Sequence, residues 1–191
     1  MAGKGEEFGQ MAVVKPRENM HFMRNEQAAE FVLYLRLGPD LKLSSGTVRT
    51  LEEFRRTAEK SEKGVAVATA MFETLGKIKP EFEKAISTKG GLIGKDRLES
   101  VAAEGAQDLV KMGFTKEEAT YLVGKALIDM GLKEPLQEML GMRGNDSDVI
   151  NAFMTRMHAL SHAKEQKEKA EGDLKSVLAE HNVTERKYEA A

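Results

Sequence analysis

A chain of 191 residues, 41% hydrophobic and 31% charged, holds one domain of ordinary size with room for a helical extension, and its apolar residues recur too regularly for full disorder. A formal charge of −2, with both signs interspersed, gives no strong nucleic-acid signal. The absence of cysteine removes disulfides, thiolate metal sites and cysteine nucleophiles.

Residues 1–23 are polar, carry Gly3, Gly5, Gly9 and Pro16, and read as a flexible arm with a short apolar run at 11–14. They hold no apolar segment of the kind found in a cleaved signal peptide. No stretch of the chain approaches the roughly 20 apolar residues of a membrane span. A cytoplasmic protein, or one exported without a cleaved signal, is therefore expected.

Asn25 is placed to cap the first helix, with Ala28, Phe31, Val32 and Leu35 on one face and Gly38-Pro39 as the stop. A second helix is predicted over 47–63, or from Ser45, with a thin apolar face of Val48, Leu51, Phe54 and Ala58. The period continues over 65–75 through Val65, Ala68, Met71, Phe72 and Leu75. Pro80 is then expected to open a separate short helix over 80–87. Gly90-Gly91 marks a turn. A helix over 95–104 buries Leu98, Val101 and Ala102, is interrupted by Gly105, resumes through Leu109 and Val110, and stops at Gly113.

The clearest local signal is Phe114-Thr115-Lys116-Glu117-Glu118. Thr115 caps, Glu118 returns the bond, and Phe114 sits where a hydrophobic staple belongs. The helix it opens carries Ala119, Leu122, Val123, Ala126, Leu127 and Met130 on one face and ends at Gly131. Pro135 starts a short helix that Gly141 closes. Asp146 or Ser147 caps a final long helix, in which Phe153, Met157, Leu160, Lys164, Lys167, Glu171, Leu174, Leu178 and His181 alternate in steps of four and three. The apolar start of that seam is expected to pack on the domain and the charged stretch 164–173 to project into water, with Gly172 as a weak point.

The fold class expected is all-α: a compact multi-helix domain of short helices over 24–160, with a partly charged C-terminal helical extension and frayed tail over 161–191. Several helices are too short to persist alone, so tertiary burial must hold them.

Four patterns carry possible chemistry. His158 and His162 stand one turn apart and form a weak metal candidate, with no third ligand evident and no HExxH pattern. Residues 89–96 have a phosphate-loop look, but the glycine spacing is short by one and Asp96 stands where Ser or Thr is required. Asn145-Asp146-Ser147-Asp148 begins like a calcium loop and lacks its Gly and final carboxylate, so it reads as a helix cap. Met112-Gly113-Phe114, followed by Thr115, resembles the first loop of ubiquitin-associated domains. That resemblance covers residues 105–141 and implies ubiquitin binding through Met112, Gly113, Phe114, Met139 and Leu140. The second helix is several residues longer than in that family.

No catalytic set and no cofactor motif emerges. The function expected is that of a non-enzymatic interaction, assembly or regulatory protein, meeting a protein partner or a second copy of itself through helical surfaces. Phe114, Met139, Met142, Phe153, Met157, Leu160, Leu174 and Leu178 are the residues expected at that surface, since Met-rich helices line adaptable grooves as well as cores. The alternatives are a ubiquitin-binding module at 105–141, a secreted effector or virion component, and an enzyme whose site is assembled from residues distant in sequence.

Overall fold

A computed structural model describes residues 24–60, 64–89 and 93–189. The predicted arm over 1–23, the Gly90-Gly91 turn and residues 190–191 lie outside the described residues. Seven α-helices and no strand are found among them: α1 (Asn25–Leu37), α2 (Ser45–Lys60), α3 (Gly64–Lys89), α4 (Lys95–Lys111), α5 (Lys116–Asp129), α6 (Lys133–Leu140) and α7 (Asp146–Glu189). The chain is all-α. No helix among the described residues is long and apolar enough to cross a membrane.

α1 is the central helix. Ala28, Ala29, Phe31, Val32, Leu33, Tyr34 and Leu37 are all buried, so more than one face is covered. It packs with α4 and α5 as a mutually touching trio, while α2 and α3 meet it elsewhere. Its N-cap is Arg24, not Asn25. The Arg24 backbone N–H donates to Gln27 Oε1 at 2.9 Å, a role that a long polar side chain at N3 fills when the cap residue is not Ser or Thr.

α2 begins at Ser45, because the Ser44 hydroxyl accepts from the Thr47 N–H at 3.2 Å. Glu81, reaching over from α3, accepts from the Ser44 N–H and the Thr47 hydroxyl. A carboxylate there meets the positive end of α2, and those two hydrogen bonds, that from Thr47 first, hold its pKa below the usual carboxylate value.

The expected helices over 65–75 and 80–87 are one helix, α3, with Pro80 inside it. Met71, Leu75, Ile78, Phe82, Ala85 and Ile86 are buried, and their spacing carries one apolar stripe straight past the proline. A proline in a helix interior costs about 3 kcal/mol. Burying an Ile or Phe side chain returns roughly 1.5–3 kcal/mol each, so the stripe on both sides of Pro80 outweighs the lost bond.

Gly105 likewise does not interrupt its helix, which runs unbroken as α4. It is buried where α4 crosses α1; a Cβ there would lie 3.2 Å from Leu33 Cδ2. The predicted stops hold. Gly113, Gly131 and Gly141 take φ of 94°, 82° and 65°, the left-handed geometry that ends helices. The box at α5 also forms as expected, with Glu118 N–H donating to Thr115 Oγ1 at 3.2 Å and Thr115 N–H to Glu118 Oε2 at 3.0 Å.

α7 is a single helix of 44 residues that continues through Gly172. Asn145 caps it, its Oδ1 accepting from the Asp148 N–H at 2.9 Å, one residue ahead of the expected cap. Its first turns pack on α5 and α6. Val149, Ile150, Phe153 and Met157 are buried there, and Phe153 is fully enclosed. The ring fits because Gly124 of α5 has no side chain; a Cβ at that position would lie 2.7 Å from Phe153 Cδ1.

Candidate functional site

The residues expected at a docking surface divide into three groups. Phe114, Met139, Phe153 and Met157 are between 0% and 7% exposed and belong to the hydrophobic core. Met142 and Leu160 are partly buried and pack against its margin. Leu174 and Leu178 stand in solvent, 59% and 54% exposed. A 3.6-residue period places a side chain on a face but does not say what that face meets, and for most of the described methionines it meets the core: Met71, Met130, Met139 and Met157 are buried.

The same burial bears on the ubiquitin-associated resemblance. Phe114 fills the staple position beneath α5, and Met139 lies inside, while Met112 and Leu140 pack against the core. The helices follow in the implied order, yet the side chains meant for ubiquitin are largely turned inward. His158 and His162 are both exposed on α7. The adjacent Glu165 pairs with Lys116 of α5 at 3.1 Å, which holds its carboxylate pKa below the usual value. Among the described residues no three His, Cys, Asp or Glu side chains are grouped to hold a metal ion. Asp146, from the calcium-like stretch, pairs with Lys133. Residues 90–92 of the phosphate-loop look-alike lie outside the described residues.

The ion pairs on the body serve helix packing. Arg36 of α1 donates to Asp108 Oδ2 from Nε at 2.9 Å and from a terminal nitrogen at 2.6 Å, and to Glu104 Oε2 at 3.0 Å. Arg97 of α4 reaches Asp40 at 2.7 Å and the Arg36 carbonyl at 3.2 Å. These bonds lock the end of α1 to α4. No Asp, Glu, Lys, Arg or His side chain is buried among the described residues; the titratable group enclosed there is the Tyr34 phenol, whose pKa burial raises, so no buried carboxylate, amine or imidazole points to an acid or base.

Glu30 comes nearest. Its side chain is 17% exposed and lies 3.9 Å from Lys79. Burial raises its carboxyl pKa, Lys79 works against this, and Asp129 and Glu83 add to it. A carboxyl whose pKa is higher folded than unfolded costs stability at neutral pH, and that cost fades as pH falls through the folded value. Glu30→Gln is therefore expected to raise the melting temperature by a few degrees at pH 7, with the gain closing below the ordinary carboxylate range. Thermal unfolding across pH checks this, and a gain that persists at pH 3 is inconsistent with it.

No protein-family model, curated protein or solved structure matches the chain.

Beyond Ser161 every described side chain of α7 is exposed. Pairs one turn apart, Lys164 with Glu168 and Lys167 with Glu171, line the first part at 3.9 and 3.8 Å. Leu174, Val177 and Leu178 then form an exposed apolar patch one turn across, Val177 being 61% exposed. Elsewhere among the described residues the large exposed apolar side chains, Phe72, Val110 and Tyr121, stand on three different helices, as is ordinary for a surface. Val177 lies off the four-three seam and was not singled out by it. The signal that finds it is the seven-residue recurrence of Ala163, Ala170 and Val177 along the edge of that seam.

Proposed function

We propose that this chain is a helical interaction protein whose docking element is the projecting part of α7, carried on a compact helical body. One observation carries the reading: Leu174, Val177 and Leu178 sit together in water on a helix that has left the core. Fully burying such side chains is worth roughly 1.5–3 kcal/mol each, so a protein surface covering them gains several kcal/mol before the costs of association.

Deleting residues 164–191 tests this. The core ends at Met157 and Leu160, so the shortened chain is expected to keep its cooperative unfolding and melting temperature. It should lose association, whether with itself in sedimentation or with a protein captured by the full chain. Unchanged association after the deletion overturns the reading.

A further inference from the structure

The seam of α7 carries its charges in blocks, and that pattern discriminates between ways of covering it. In the repeat, Lys164, Glu171 and Leu178 take one core position and Lys167, Leu174 and His181 the other. A parallel pair in register would stack each residue on its own copy. Lys164 would meet Lys164, Lys167 would meet Lys167, and Glu171 would meet Glu171, three like-charge layers in succession. An antiparallel pair instead sets one core position against the other, and the outcome depends on where the two-fold axis falls.

With the axis near Lys169, the C-terminal end of the second helix would run past Leu160 into the space where α5 and α6 pack on α7. With the axis at Ser176 the described helix clears the body, since position 163 of one helix then lies opposite position 189 of the other. The two central layers become Leu174 against Leu178, made twice by symmetry. Val177 meets Val177 of the second copy beside the axis, so the whole exposed apolar patch is covered at once. The next layer sets Glu171 of one copy against His181 of the other, an acceptor facing a donor. Ala170 flanks the seam and lets the helices approach. Gly172 falls on the far side, with nothing within 4 Å of an added Cβ. The one like-charge meeting, Lys175 with its own copy, lies at the solvent edge, where two long side chains can splay apart.

We infer that the projecting part of α7 pairs antiparallel with the same segment of a second copy, about a two-fold axis at Ser176. This rests on the docking role proposed above and names its occupant. The pairing is isologous, so it closes as a dimer with the two bodies at opposite ends.

Sedimentation equilibrium on the full chain is expected to show a monomer–dimer equilibrium. Leu174→Lys combined with Leu178→Lys should weaken it by about a hundredfold or more, with helix content and body melting temperature kept, since both side chains are exposed. Because the chain has no cysteine, single introduced cysteines report orientation. Val177→Cys should be joined to its own copy by a short bis-maleimide crosslinker. Lys167→Cys should not, as its two copies would lie about 27 Å apart along the axis at a rise of about 1.5 Å per residue. A monomer at all concentrations, a dimer indifferent to the double lysine variant, or efficient crosslinking at position 167 overturns the pairing. If the full chain is monomeric and the double variant still abolishes capture of another protein, the pairing falls while the docking role of α7 stands. If neither association responds, both fall.

Discussion

Phe153→Ala is expected to lower the unfolding free energy by about 3–5 kcal/mol. Typical domains have only about 5–15 kcal/mol in total, so this is a large share. The ring is fully buried between α7 and α5, and the wall behind it is Gly124, which has no side chain to move into the space. A site that cannot collapse keeps its cavity, and the cost lies toward the upper end of the range for that reason. Phe153→Leu retains most of the volume and should cost less, about 1–2 kcal/mol. Urea titration followed by circular dichroism measures both. A loss under about 1 kcal/mol for the alanine variant would mean that the root of α7 does not depend on this ring.

Phe82→Ala is expected to cost a similar amount, about 3–5 kcal/mol, by a different route. Phe82 holds α3 to α1 through an edge-on contact with Tyr34, ring centroids 4.3 Å apart at 69°. Both rings are 1% exposed. α3 touches α1 and α2 but makes little contact with the α4–α7 side of the body, so few other interactions can take over. Hydrogen exchange should rise first in α2 and α3, ahead of α1, α4 and α5, as expected for a locally opening unit. The internal control is Phe72→Ala on the same helix: that ring is 49% exposed, and its removal should change stability by no more than about 0.5 kcal/mol. Equal effects from the two substitutions would show that burial, as described, does not set the energetics of α3.

What the sequence made legible was local. The Thr115 and Glu118 box, the Phe114 staple and the glycine stops at 113, 131 and 141 involve groups within a few residues of each other, and all were found where the letters placed them. What it hid was contextual. Pro80 reads as a helix start because its ring favours that place, and only the burial of Ile78 and Phe82 on either side shows that the helix runs through it. Gly105 reads as a break and is instead the close crossing of α4 with Leu33 of α1. The carboxylate at the start of α2 comes from Glu81, 37 residues beyond Ser44, a partnership no local window contains. At the candidate surface the difficulty was the same. Phe153 and Leu174 occupy equivalent places in one periodic seam, and only the position of the body decides that the first is enclosed and the second stands in water.

The unbroken course of α7 has a mechanical consequence. A continuous helix is stiff along its length, and from its seat at Phe153 to Glu189 it extends about 54 Å. Tilting that seat by about 10° swings the far tip through about 9 Å over such a length. Small rearrangements around one enclosed ring are thereby magnified into large excursions at a distance, and whatever the tip holds feels them as leverage.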